Sequence, residues 1–376
     1  MDHAAALGGA ERILLLLMEG LDRDRFAPHL VAPRGPLGAA ARQRGVITHE
    51  MALPRLGGEP TAPWRLARAA LPLARLMRRE CIAVVSPHSV RASVYAATAI
   101  TLARRPLLWY MHEPGPPGLY RRWLNARSAV AVAVSFAVAD QMACSRKLRV
   151  IHNGIRWQDF AADHRESAAR LRSLWGVPGD AVLIGQAARL QPWKGQREVI
   201  AAAEILLRER PDVYIAIVGG DVFGDAVHYE RELKAEVVRR GLAHRVLLTG
   251  HHEDIPAVLG ALDVVVHASS GEPFGTILLE AGAARLPIVA YESGGVAEVL
   301  THEVNALLVR QGDRAGLAAA LLRLVAQPDL GRALGQAAHA RVRQHFDVRR
   351  MVQDVQDVLQ VLVQGVGHPR SDGERA

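Results

Sequence analysis

The sequence predicts an α/β protein built from two doubly wound domains. Three observations carry that prediction. Short, β-branched apolar runs alternate with helical patterns along the whole chain. The chain has 376 residues, half of them hydrophobic, which is too much for one ordinary core. Glycine pairs follow several of the apolar runs, where such folds place ligand-binding loops.

The first domain opens on GGAER (8–12), preceded only by MDHAAAL. That segment is short and Ala-rich, a poor strand. The expectation is a first domain that lacks its opening strand, or whose start lies upstream. Candidate strands follow at CIAVVSP (81–87), LLWYMH (107–112) and AVAVS (131–135), with WRLARAALPLARLMRRE (64–80) as a helix that Pro72 should kink or end. The second half carries strands at VLIGQAAR (182–189), VYIAIVGG (213–220), RVLLTG (245–250), VVVHAS (264–269) and LPIVAY (286–291). Helical patterns at 197–210 and 228–241 separate them. The polar, strand-free stretch 154–176 reads as the join. The expected organisation is therefore a domain at 1–154, a linker at 155–175, a domain at 176–345, a last helix at 346–366 returning to the first domain, and a disordered tail at 367–376.

Composition narrows the setting. Two cysteines, Cys81 and Cys144, make a disulfide framework improbable and point to a reducing compartment, the cytoplasm. No apolar run approaches the ~20 residues of a membrane span, and MDHAAALGGAER does not read as a signal peptide. Residues 1–175 hold 25 Lys and Arg against 13 Asp and Glu, a net +12; the remainder nets −4. A basic half suits an anionic face. Aromatics are 5% of the chain without basic–aromatic alternation, so an anionic membrane surface is the expectation and nucleic acid is not.

The chemistry sits after the strands. ARLQPWKG places Arg189 and Lys194 on one loop, a planar fork and a point charge suited to a diphosphate; the bland alternative is two solvated cations. Gly219 and Gly220 allow close backbone approach. GEPFGTILLE (271–280) holds Glu272 before a Phe-Gly pair and Glu280 one turn into the next helix, with Thr276 near the N-cap. Glu298 in ESGGVAEVL could simply favour its helix dipole. Asp254 in HHEDIP is a natural N-cap. Asp22-Arg23-Asp24 follows a helix rather than a strand end, so its metal-like spelling reads as coincidence.

ARLxxWKG, EPFGTILLE and GGVAE, with GGAER, WYMHEPG and VIHNGI, together resemble the retaining glycosyltransferases of family 4. The resemblance covers nearly the whole chain, apart from the opening strand. It implies the GT-B fold, two Rossmann-like domains facing a central cleft. It also implies transfer of a sugar from a UDP- or GDP-sugar to a glycan or lipid-linked acceptor, in polysaccharide or glycolipid synthesis. Arg189 and Lys194 resemble the pair that neutralises the donor diphosphate. Glu272 would hold hydroxyls of the transferred sugar and Glu280 those of the ribose. Phe274, Gly275 and Thr276 would touch sugar and phosphates through their backbone. Gly8 and Gly9 would approach the diphosphate, His112 would lie near the sugar, and His251 and Ile255 would border the base. Gly219 would meet the nucleotide. No metal and no cofactor beyond the donor are expected. The inner face of the membrane is an expected location for a peripheral enzyme. The alternatives are a 2-epimerase-like enzyme on the same fold, a weakened nucleotide-sugar-binding subunit, and a nucleic-acid module, for which no reading motif is present.

Overall fold

The computed structural model describes residues 1–54, 62–114, 118–142, 147–220 and 227–366. The chain forms two compact units, Met1–Asn153 with Val348–Ala376, and Gly154–Asp347. The tail expected to be disordered, 367–376, lies outside the described residues.

The N-terminal unit carries two parallel sheets. β1 (His29–Ala32) pairs with β2 (Ile47–Glu50); β3 (Leu108–Met111), β4 (Val130–Ala133) and β5 (Leu148–Val150) form the other in that order. A helix lies in each connection, as parallel neighbours require. All four residues of β3 are buried, the mark of a strand covered on both faces.

Several elements differ from the sequence reading. The segment 81–87 makes one bridge, Val85 to Leu107, rather than a full strand, because only one of its edges has a neighbouring strand. No strand forms over MDHAAAL. Helix Ala62–Arg79 runs through Pro72 without ending there. It buries Ala70, Leu73, Ala74 and Met77 and packs on helix Val90–Ala103. That packing outweighs the ~3 kcal/mol a helical proline costs. β1, β2, β5 and the strand Leu307–Arg310 escaped the sequence reading. They have three or four residues each, and β2, ITHE, has no buried residue to set a pattern.

The C-terminal unit holds one parallel sheet of β6 (Leu183–Ala187), β7 (Tyr214–Val218), β8 (Val246–Gly250), β9 (Val264–His267), β10 (Ile288–Glu292) and β11 (Leu307–Arg310). Its order is β11-β10-β9-β6-β7-β8. The chain winds outward one way from β6, then the other way from β9. The β6–β9 boundary is thus the switch point, where the two connecting loops part and leave a crevice. Ile184, Ile200, Leu206, Ile215, Val289 and Leu317 belong to the core around the sheet.

The stretch expected as a linker is a folded part of this unit. It contains helices Trp157–Ala161 and Arg165–Leu174. Arg172 ties the second to the sheet, donating to Ala261 O at 2.8 Å and Asp263 Oδ2 at 2.6 Å. The polar composition hid this helix because only Ala168 on it is buried. The unit closes where Ile155 N–H donates to Phe346 O at 2.9 Å and Trp157 Nε1 to Asp347 Oδ2 at 3.0 Å. The last helix, Val348–Val366, belongs to the N-terminal unit, where Gln356 Oε1 accepts from Asp22 N–H at 2.7 Å.

Candidate active site

The loops after β6, β9 and β10 are tied together at the switch point. Ser270 N–H donates to Trp193 O at 2.7 Å, Gly271 N–H to Ser293 Oγ at 2.5 Å and Gly295 N–H to Glu272 O at 2.8 Å. Two glycines make this approach possible. Gly195 (φ +75°) would place a Cβ 2.0 Å from Ala268 O, and Gly294 (φ +58°) one 2.2 Å from Glu272 O. No other residue fits either place.

Within this frame Lys194 meets Glu272. Nζ donates to Glu272 Oε2 at 2.8 Å and lies 4.1 Å from the centre of the Trp193 ring. His267, the last residue of β9, brings Nε2 to 3.1 Å of the same carboxylate oxygen. Glu272 is 5% exposed and His267 1%. Burial raises the Glu272 carboxyl, but the Lys194 charge and the His267 contact outweigh it and hold it well below the ordinary range. Burial lowers the Lys194 ammonium, with Glu272 acting against that shift. Gln186 fixes the loop by donating to Lys194 O at 2.7 Å, and Gln196 donates to Arg189 O at 2.8 Å.

The remaining expected residues of this unit lie on the same carboxyl edge. Helix Thr276–Ala283 begins after Gly275 (φ +85°), so Gly275 is the N-cap and Thr276 the first helical residue, next to the N-cap as expected. Phe274 is buried, with its ring 5.9 Å from Phe346, which leaves its backbone as the part able to meet a ligand. Glu280 is half-buried one turn into the helix. Gly219 follows β7, and His251 and Ile255 follow β8. Asp254 accepts from Ala257 N–H at 3.0 Å, the capping role its sequence suggested.

In the N-terminal unit, Gly8 caps helix Gly9–Gly20 and donates its N–H to Glu11 Oε2 at 2.9 Å. His112 follows β3. Its Nε2 lies 3.0 Å from Nδ1 of His88, and the Tyr110 ring stacks on both imidazoles, at 5.0 and 4.6 Å between centroids. Burial pushes the His112 imidazole down to about 4, with Asp2 opposing, and burial pushes His88 well below its ordinary value. Both are neutral at physiological pH, so His112 presents a hydrogen-bonding imidazole rather than a cation. Asp22 Oδ1 accepts from Asp24 N–H at 3.0 Å, which gives that pair a turn-forming role.

His88 and His267 are the residues the sequence reading missed. Both stand at the carboxyl end of a β segment, so the rule that singled out the other residues could have found them. Among the described residues, one group could hold a metal. It is His29, His49 and Glu80, whose ligand atoms lie within 4.8 Å of one another. There the histidines contact each other at 3.0 Å and Glu80 accepts from Arg79 at 2.8 Å.

Two family models match the chain: Glycosyltransferase Family 4 over residues 7–157, and Glycosyl transferases group 1 over residues 169–341. The chain belongs to the group 1 glycosyltransferases of family 4. Its GT-B architecture is shared with Anabaena Alr3699/HepE, solved in complex with UDP-glucose. That match has a TM-score of 0.85 and 26% identity, over 96% of this chain and 98% of the other. The D-inositol 3-phosphate glycosyltransferase of Saccharomonospora viridis is 31% identical over 58% of this chain and 52% of its own length. The lipopolysaccharide core biosynthesis mannosyltransferase LpcC of Rhizobium leguminosarum bv. viciae is 31% identical over 61% and 64%. The chain thus spans about half to two thirds of the length of these curated relatives. In this chain, Arg189, Lys194, Glu272 and Glu280 fall in the group 1 region, and Gly8, Gly9 and His112 in the family 4 region.

Proposed function

We propose that this chain transfers a sugar from a nucleotide-diphosphate sugar to a glycan or lipid-linked acceptor, with retention at the anomeric carbon. The observation that carries the reading is the switch-point cluster of Lys194, Glu272 and His267, with Arg189 on the same loop as Lys194 and the start of helix Thr276–Ala283 on the same edge. Arg189, Lys194 and the free N–H groups of the helix start supply positive charge for a diphosphate leaving group, without a metal. Glu280 takes the ribose hydroxyls. Glu272 binds sugar hydroxyls with the acceptor capacity left beside Lys194 and His267, since an ionised carboxylate has about four lone-pair sites. The two glutamates serve different parts of one donor. Retaining hydrolases instead set two carboxyl groups ~5 Å apart across a single bond. With no protein nucleophile assigned, the departing phosphate oxygen takes the proton of the acceptor hydroxyl as it attacks the same face. His112 and the Gly8–Gly9 backbone serve the acceptor-side unit.

A UDP-sugar is the first donor to test, because a structural relative was solved with UDP-glucose; GDP-sugars come second. A saturating donor, at 100 times its dissociation constant, stabilises the protein by about 2.7 kcal/mol, which a thermal-shift panel of nucleotide sugars detects. The same panel with a labelled sugar separates transfer from 2-epimerisation. If no nucleotide or nucleotide sugar shifts the melting temperature, the reading fails.

The acceptor is proposed to lie at an anionic membrane surface on the cytoplasmic side. Helix Ala62–Arg79 buries Leu73 and Met77 in the core and turns Arg68, Arg75, Arg78 and Arg79 outward beside Trp64, 72% exposed. Leu119 and Tyr120, 80% and 58% exposed, precede Arg121 and Arg122 in the same unit. Each basic residue near an anionic leaflet contributes about 1 kcal/mol, screened by salt. The protein is expected to sediment with anionic liposomes at low salt and to be released at high salt. Protein left in the supernatant at low salt would favour a soluble acceptor.

A further inference from the structure

β1 and β2 bring together two histidines that the sequence separates by 20 positions. In the parallel ladder Val31 pairs with His49. His29 comes two residues before Val31, and side chains two apart on a strand share a face. His29 and His49 are therefore diagonal neighbours on one face of this two-stranded sheet, within reach of each other. Nδ1 of His29 lies 3.0 Å from Nε2 of His49. Glu80, at the end of helix Ala62–Arg79, meets them there, and the ligand atoms of all three lie within 4.8 Å of one another. The three side chains are half-buried. The candidate active site uses none of them.

The backbone beneath each of them is held. His29 and His49 sit in the β1–β2 ladder. Glu80 is the C-cap of its helix. Cys81 N–H donates to Arg78 O at 3.2 Å and Ile82 N–H to Met77 O at 2.9 Å, with Cys81 in the left-handed region at φ +51°. These are the two bonds of the Schellman arrangement, which closes a helix end and fixes the direction of its last side chain. Three ligand types thus converge from two strands and a capped helix end, on backbone that does not have to be ordered to bring them together.

We propose that His29, His49 and Glu80 bind a zinc ion, as a structural site that ties β1 and β2 to the end of helix Ala62–Arg79. Two imidazoles and one carboxylate suit a borderline ion such as Zn²⁺, whereas Mg²⁺ and Ca²⁺ take oxygen ligands. With Zn–N bonds of 2.0–2.1 Å, two corners of a tetrahedron are about 3.3 Å apart, so the histidine nitrogens need to open only slightly from 3.0 Å. The two rings now share a hydrogen bond, with centroids 5.3 Å apart and planes within 18° of each other. Zinc replaces that bond. The shared proton moves through solvent to the outer nitrogen of its own ring, and both rings turn their freed lone pairs on the ion. Arg79 Nε donates to Glu80 Oε1 at 2.8 Å, and the second carboxylate oxygen serves the metal. A water takes the fourth position. His29 is the first residue of β1, whereas the donor-binding residues follow their strands, so the ion takes no part in transfer. Its effect is on the fold. β1 and β2 pair only with one another, and the ion gives this small sheet a cross-link to a helix.

The test strips the full chain with a chelator and titrates it with Zn²⁺ by calorimetry, without nucleotide, using Mg²⁺ as the oxygen-preferring control. One equivalent of zinc is expected to bind. At 100 times its dissociation constant it should raise the melting temperature by about 5 °C, and Mg²⁺ should do neither. His29→Gln, His49→Gln and Glu80→Gln are each expected to weaken zinc binding at least about 100-fold, the upper end of what losing an outer partner of a metal ligand costs. Unchanged affinity in either histidine variant, or no saturable zinc binding by the parent, overturns the proposal. If a variant fails to fold, X-ray absorption on the parent's one-to-one zinc complex decides. Two imidazole nitrogens completed by oxygens support the site, and a sulfur ligand or a third imidazole sinks it.

Discussion

Replacing Arg189 or Lys194 with Ala is expected to lower turnover by roughly 10²–10³, the scale for removing one preorganised donor that stabilises developing charge. Both variants remove a cation from the loop after β6, and Lys194→Ala carries a further cost in stability. Lys194→Ala takes the ammonium partner from a carboxylate that is 5% exposed. Breaking a buried ion pair on one side costs about 3–5 kcal/mol, and His267 at 3.1 Å offsets part of that. Steady-state transfer assays and denaturant melts on both proteins separate the effects. Near-parental turnover in both would place the diphosphate elsewhere, whatever the melts show.

The sequence made the C-terminal unit more legible than the N-terminal one, for a physical reason. β6, β7, β9 and β10 are central strands covered by helices, so they read as uninterrupted apolar runs. The residues after them, from Arg189 to Gly295, lie in the loops that such strands present at the carboxyl edge. β1 and β2 have four residues each and pair only with one another. β2 is at most half-buried along its length, so no hydrophobic period marks it. The helices within 155–175 are short and mostly half-exposed, which made folded chain look like linker. Lys194 and Glu272 were singled out for separate parts of a donor. Their pairing across 78 positions depends on β6 lying beside β9, a topological fact that no local pattern encodes. His267 was hidden for the same reason: inside VVVHAS it is one polar residue in a buried strand, and it gains meaning only from Glu272 five positions later.

The Lys194–Glu272 pair yields the second large effect. Glu272→Gln leaves the Lys194 ammonium buried without its counter-charge, and the expected loss is again about 3–5 kcal/mol. The double variant Lys194→Met/Glu272→Gln removes both charges. It is expected to regain at least about 2 kcal/mol relative to the sum of the single changes, the signature of direct coupling. It should remain inactive, because stability then returns without the diphosphate cation. The pH dependence supplies an independent check. In the parent, the Glu272 carboxyl sits below its unfolded value. Its contribution is therefore present above the unfolded carboxyl pKa and is lost only as pH falls through the depressed folded value. In Glu272→Gln the relevant group is Lys194, already lowered by burial in the parent and now without the opposing Glu272 charge. A lysine with a depressed folded pKa binds fewer protons folded than unfolded between the two values, so stability rises with pH across that window. The single variant should recover part of its loss as pH is raised from neutral toward the ordinary lysine range, whereas the double variant, with neither group, should not. Parallel pH–stability profiles for the two would show that Lys194 is not desolvated in the folded protein, and would remove the basis for its buried place at the switch point.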